Sequence, residues 1–144
     1  MFFTERNYLI IYSEIKPEIA FQPGVAYKIS LQGLLRFKKN NNPEGAGETL
    51  RQQQLALEFR YNTPSAGSFQ CRLQGIQMQF AGDVNSPIGF EMLESLLPGT
   101  NYVWSINWQR TLGNNIQFNL SYDGRKSPSS PMVHIGGVQL RTYF

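Results

Sequence analysis

The sequence predicts an all-β protein, an antiparallel up-and-down meander of about seven long strands. Two observations carry this expectation. Apolar and polar residues alternate with a period of two, the strand period, over most of the 144 residues. Tight turns also alternate strictly with longer connections, as they do when all the hairpin turns lie at one end of a sheet.

The strands are read in chain order. Residues 8–21 form the first, and Pro17 inside it predicts a bulge or an edge position. In 27–38, Tyr27, Ile29, Leu31, Gly33, Leu35 and Phe37 share one face and Lys28, Ser30, Gln32 and Arg36 the other. In 50–62, Leu55, Leu57, Phe59 and Tyr61 alternate with Gln54, Glu58 and Arg60. In 68–81, Phe69, Cys71 and Leu73 give way to Ile76, Met78 and Phe80, a change of parity that predicts a β-bulge beside Gly75. Strand 101–112 aligns Tyr102, Trp104, Ile106 and Trp108, and strand 115–125 aligns Ile116, Phe118, Leu120 and Tyr122. Strand 132–144 aligns His134, Gly136, Val138, Leu140, Thr142 and Phe144. Residues 88–97 are read as a short helical turn ended by Pro98-Gly99.

Matching apolar side chains across the turns suggests a register. Trp108 is set opposite Phe118 and Trp104 opposite Tyr122; Leu120 opposite Gly136 and Phe118 opposite Val138; Phe21 opposite Tyr27. Glu58 and Arg72 fall as cross-strand neighbours about the 62–67 turn, where an ion pair is expected.

Composition narrows the class. Charged residues are 16% and aromatic residues 13%, against about 25% charged in a typical soluble domain, which argues against disorder. No run approaches the roughly 20 apolar residues of a membrane-spanning helix. The single cysteine, Cys71, excludes an internal disulfide and a cysteine-based zinc cluster. Net charge is +3, but the basic residues are scattered, with only Lys38-Lys39 and Arg125-Lys126 adjacent. A nucleic-acid partner, which calls for a basic stripe with stacking aromatics, is therefore not expected. Residues 1–7 lack the features of a secretory signal, so the expectation is a cytoplasmic chain or a piece of a longer polypeptide.

The choice of environment rests on the strands. They run to about 10–13 residues, long for the globular mode of about 5–6 and close to the 9–11 that cross a bilayer at a tilt. Phe21, Tyr27, Phe37, Tyr61, Tyr102 and Tyr122 recur near strand ends, as in the aromatic girdles of outer-membrane barrels. The polar face is rich in uncharged amides, which suit a wet interior. The expected fold is thus part of a larger transmembrane β-barrel, with residues 1–144 as one barrel segment whose open edge pairs with upstream strands of the parent polypeptide, since an open edge in hydrocarbon is costly. The alternative is a soluble β-sandwich module that binds glycan or protein through the 82–100 loop.

The chain ends Gly136-Gly137-Val138-Gln139-Leu140-Arg141-Thr142-Tyr143-Phe144. Phe144, with Val138, Leu140 and Thr142 at alternate positions before it, resembles the C-terminal assembly signal of outer-membrane barrels. Gly89-Phe90-Glu91-Met92-Leu93, Leu97-Pro98-Gly99-Thr100-Asn101, Ser121-Tyr122-Asp123-Gly124-Arg125-Lys126 and His134-Ile135-Gly136-Gly137-Val138 together resemble the C-terminal region of large Bacteroidetes-type outer-membrane β-barrel proteins. The resemblance implies a bacterial outer-membrane location, the barrel-assembly machinery as a partner that reads the last strand by β-strand addition, and a parent serving transport, secretion or surface display.

Candidate site residues follow. Glu58, Arg60, Arg72 and Arg141 are expected to face the barrel lumen, where charges tune what passes. Lys38, Lys39, Arg125 and Lys126 are expected at an external rim in contact with membrane lipid and the phosphates of lipopolysaccharide. His134 is placed beside Tyr122 at that rim, with no partners for a triad or metal site. Gly45-Ala46-Gly47-Glu48-Thr49 lacks the Lys-Ser/Thr ending of a P-loop. No enzymatic activity and no cofactor are expected.

Overall fold

The structure is a computed structural model that describes residues 9–42, 47–94 and 96–144. The readings made on residues 1–8 and 43–46 lie outside the described residues. The chain forms one antiparallel sheet from β1 (Ile10–Ile15), β2 (Glu18–Phe21), β3 (Tyr27–Asn40), β4 (Thr49–Thr63), β5 (Gly67–Ala81), β6 (Gly99–Leu112), β7 (Ile116–Lys126) and β8 (Val133–Thr142). The order is β1-β3-β4-β5-β6-β7-β8, with β2 also on β3, so the topology is a meander and the sheet is not closed. A single helix, α1 (Pro87–Leu93), lies in the β5–β6 connection. The short turns after β2, β4 and β6 share one end of the sheet with the chain terminus. The β3–β4, β5–β6 and β7–β8 connections leave from and return to the other.

β1 and β2 are one strand interrupted by Pro17. Ile15 pairs with Leu35 and Glu18 with Gln32, so no residue is inserted, and of the two positions expected for Pro17, bulge or edge, the structure takes the edge. Gly33 N–H donates to Pro17 O at 2.8 Å; the reciprocal bond is missing because proline has no N–H. A Cβ at Gly33 would come within 3.0 Å of the Pro17 ring, which explains the glycine opposite it.

The bulge expected at Gly75 is absent. Pairing of β5 is continuous from Ala81↔Thr49 to Gly67↔Thr63, and from Met78↔Gly99 to Ser68↔Gln109. Ile76, Met78 and Phe80 therefore stand on the same face as Gln70 and Arg72. The parity change records a change in what that face touches, because α1 covers this end of it.

Three hairpin registers are corrected by two residues. Trp108 pairs with Leu120 and Trp104 with Gly124; Leu120 pairs with Val138 and Phe118 with Leu140; Phe21 pairs with Ile29. A shift of two keeps each side chain on its face, so alternation alone does not detect it.

Carrying the register across the sheet assigns two faces. On one, Tyr27, Tyr61, Phe69, Trp108, Leu120 and Val138 form a row across six strands, and Ile19, Leu31, Leu57, Leu73 and Trp104 form another. No second sheet and no helix covers this face among the described residues. Ile19 is 73% exposed, Leu55 59% and Leu140 65%. The opposite, polar face is the shielded one: Ser30 is 2% exposed, Gln52 3% and Glu58 7%.

The apolar band also runs obliquely. On β3 it extends from Tyr27 up to Phe37, on β4 only from Tyr61 to Leu55, and on β7 from Tyr122 down to Ile116. Its limits slip by about one to two residues per strand. With strands roughly 4.8 Å apart and roughly 3.3 Å per residue, the band is inclined by roughly 35–55° to the perpendicular of the strands.

Within the apolar face, the Trp104 indole lies flat over Gly124, where an added Cβ would stand 2.0 Å from the ring. Gly124→Ala should cost about 1–3 kcal/mol by forcing the ring aside. Most of that loss should vanish when Trp104 is also changed to Ala. Urea midpoints of the four forms in detergent micelles measure the cycle, and an undiminished loss in the double variant would contradict the packing described.

Candidate functional site

The polar face carries the chemistry of the molecule, and the helix that rests on it shapes it. Ser86 caps α1: its Oγ accepts from Gly89 N–H at 3.1 Å and donates to Asp83 O at 2.6 Å. Pro87 follows at the first helical position, where its missing N–H leaves no internal bond broken. Ile88, Met92 and Leu93 pack against Leu50, Ile76 and Met78 of the sheet, with Phe80, Leu96 and Val103 beside them. The apolar residues at i, i+4 and i+5 of a short helix thus meet an apolar patch on an otherwise polar sheet. The helix stops at Glu94, earlier than the Pro98-Gly99 expected from sequence, because Glu94 takes the left-handed conformation (φ 53°).

Glu94 is also where the helix is charge-coupled to β3. Its carboxylate lies 3.0 Å from Arg36 Nη1 and 3.0 Å from Lys38 Nζ. Lys38 Nζ also donates to Met92 O, one of the unsatisfied carbonyls at the helix end, at 3.2 Å. Arg36 continues to Glu14 at 2.8 Å, and Glu14 to Lys16 at 2.8 Å. The result is an alternating row, Lys16–Glu14–Arg36–Glu94–Lys38, running from the edge strand to the helix.

A second cluster lies further toward the short turns. Glu58 Oε2 is 2.9 Å from Arg72 Nη1, as expected across the β4–β5 hairpin, and its Oε1 is 2.6 Å from Arg60 Nε. Arg72 Nη2 donates to Gln32 Oε1 at 3.1 Å. Two adjoining hollows open on this face. One of 380 Å³ is bordered by Gln32, Gln52, Gln54 and Arg72, the other of 520 Å³ by Tyr12, Glu14, Lys38 and Glu91, and both touch Lys16, Arg36 and Glu94.

The structure brings the four expected lumen charges, Glu58, Arg60, Arg72 and Arg141, to this one face by register. Arg141 stands apart from the ion-paired clusters, beside Gln109, Gln117 and Asn119. The four rim residues are divided: Lys39 and Lys126 lie on the apolar face, whereas Lys38 and Arg125 lie on the polar one. Val138, Leu140 and Thr142 share the apolar face of β8, with Phe144 fully exposed beyond it. His134 Nδ1 and Tyr122 Oη are 2.7 Å apart with their rings stacked. Cys71 lies on the apolar face between Phe59 and Ile106.

Two contributors were not picked out from sequence. Glu94 sits in a connection whose path over the sheet no local pattern reveals. Asn101 is 0% exposed beneath the return from α1, donating from Nδ2 to Leu97 O at 2.8 Å. Among the described residues, no group of three or more His, Cys, Asp or Glu side chains is placed to hold a metal ion.

No protein-family model, no curated protein and no solved structure matches the chain.

Packing, more than charge, should hold α1. Met92→Ala opens a hole in a fully buried cluster and should weaken docking by about 2–4 kcal/mol. Glu94→Gly loses exposed ion pairs worth at most about 1 kcal/mol while relieving a left-handed residue by a similar amount, about 1 kcal/mol, so it should be close to neutral. Amide hydrogen exchange across residues 87–97 compares the two, with the sheet amides as an internal control.

Proposed function

We propose that the chain is a set of strands of a larger outer-membrane β-barrel whose parent serves transport, secretion or surface display. The observation that carries this reading is the polarity of the sheet. Its apolar side is continuous and uncovered, and its polar side is crowded and ion-paired. In water, exposing that apolar surface costs roughly 25 cal/mol per Å²; against acyl chains the cost disappears.

The geometry of the band supports the same reading. Strands of an outer-membrane barrel tilt by about 35–45°, so a band parallel to the membrane must cross them obliquely, and the inclination found here brackets that range. On β3 the band spans ten residue steps from Tyr27 to Phe37, roughly 33 Å along the strand. At a tilt of about 45° this is close to the roughly 25 Å apolar height of such barrels on β3, while the runs from Tyr61 to Leu55 on β4 and from Tyr122 to Ile116 on β7 reach roughly 14 Å. The short turns all lie at one end, as periplasmic turns do. No helix among the described residues is long and apolar enough to cross a membrane, and in this reading the strands do the crossing.

In the barrel the polar face lines the interior, where paired charges and amides are wetted, and α1 narrows it at the end with the long connections. The edges at β1/β2 and β8 pair with further strands of the parent. The alternating residues Val138, Leu140, Thr142 and Phe144 on the exposed edge strand present themselves to the barrel-assembly machinery.

The two tryptophans of the chain, Trp104 and Trp108, are both on the apolar face, which makes them native probes. In phosphatidylcholine vesicles with brominated acyl chains their fluorescence should be strongly quenched, and aqueous acrylamide should quench weakly. A monodisperse, detergent-free monomer whose tryptophans respond to acrylamide and ignore the bromines would falsify the barrel reading and favour the sandwich.

A further inference from the structure

We propose that Lys39, Arg51 and Lys126 form a basic margin that binds the phosphates of a phosphorylated glycolipid in the outer leaflet. The inference rests on the barrel reading above and adds a ligand and its residues.

It starts from how charge is divided between the faces. The carboxylates on the strands, Glu14, Glu18, Glu58 and Asp123, all stand on the polar face. Of the cations there, Lys16, Arg36, Arg60 and Arg72 each have an ion-pair partner on a strand and Lys38 has Glu94, while Lys28, Arg125 and Arg141 share the face with these carboxylates without an ion pair among the described residues. The apolar face has Lys39, Arg51, Arg110 and Lys126 and no strand carboxylate. No ion pair involves any of these four among the described residues. Cations left without counter-charges on a face free of acid are complementary to an anion from outside the chain.

Their position selects the anion. Lys39 on β3, Arg51 on β4 and Lys126 on β7 follow the oblique upper limit of the apolar band, at the end with the long connections. Between them the same face carries Gln53, Gln77, Gln79 and Thr100, donors and acceptors suited to sugar hydroxyls. Arg51 lies over the Phe37 ring at 5.6 Å, which fixes its guanidinium at the boundary between apolar and polar surface. Lys39, Arg51 and Gln79 border a hollow of 560 Å³ whose other walls include Ile11, Phe37 and Phe80. Along β4 the order is Leu55, Gln53 and Arg51, apolar, amide and cation, which is the order of acyl chain, sugar and phosphate in such an amphiphile, and Lys39 and Lys126 flank it on β3 and β7. A guanidinium takes phosphate in a two-pronged hydrogen bond, and the lysines add point charges.

The experiment uses the whole chain with vesicles of phosphatidylcholine alone, with added bis-phosphorylated lipid A, or with phosphatidylglycerol at equal charge. Insertion is read from quenching by brominated chains and partition from a lipid titration. Lipid A should raise partition over phosphatidylcholine by roughly fivefold per cation, about a hundredfold for the three, and more than phosphatidylglycerol does. The variant Lys39→Gln/Arg51→Gln/Lys126→Gln should insert and lose that preference, whereas Lys28→Gln/Arg125→Gln/Arg141→Gln, altered on the polar face, should keep it. Insertion without a lipid A preference, an equal preference for phosphatidylglycerol, or equal losses in both triple variants overturns the glycolipid inference and leaves the barrel reading standing. Failure of the tryptophans to meet the bromines overturns both.

Discussion

One constraint governs this molecule: a single sheet has an apolar side, and among the described residues no second layer covers it. A soluble antiparallel sheet turns its apolar face to a second layer. Here α1, the one element outside the sheet among the described residues, goes to the other face, and it goes there because Ile76, Met78 and Leu50 interrupt the polar pattern beneath it. Everything else is arranged around that allocation. The backbone is satisfied strand to strand, the strand carboxylates and the ion pairs stand on the helix side, and the broad apolar band lies on the other.

The allocation also explains why the polar face is tightly organised. Its carboxylates and guanidiniums are half-shielded by neighbouring amides, where an unpaired charge is expensive. Glu58 holds two arginines and Glu94 holds Arg36 and Lys38. These pairs contribute little net stability where solvent reaches them, but they fix which side chains occupy the face and at what spacing. The helix itself is held above the sheet by the packing of Ile88, Met92 and Leu93 on Leu50, Ile76 and Met78.

Much of the fold was legible because alternation is a direct record of which face of a strand each residue occupies. Strand identities, the succession of short and long connections and the Glu58–Arg72 pair all follow from it, the pair because a short turn fixes the neighbourhood. What alternation does not contain is an offset of two, so the three hairpin registers slid while every residue kept its face. The supposed bulge at Gly75 had a different origin. The ladder is intact there, and the parity change reflects the altered environment under α1. Adjacent basic residues such as Lys38 and Lys39 point to opposite sides of a strand, so proximity in sequence does not bring them to one face, whereas Arg51 shares the face of Leu55 and Leu57. Glu94 was out of reach because its partners on β3 lie 56 and 58 residues away.

Pro17 has an effect opposite to the usual one for proline in an edge strand. Its ring nitrogen is turned toward Gly33, where the ladder loses a bond. In an antiparallel pair, successive residues direct their peptide groups alternately to the two sides, so Tyr12, Glu14, Lys16, Glu18 and Ala20 direct theirs away from β3. All of these possess an N–H. The free margin of β1 and β2 is therefore an unbroken zipper of donors and acceptors, capable of being joined along its whole length by an incoming strand, and the proline that interrupts the sheet from within does nothing to guard it from without.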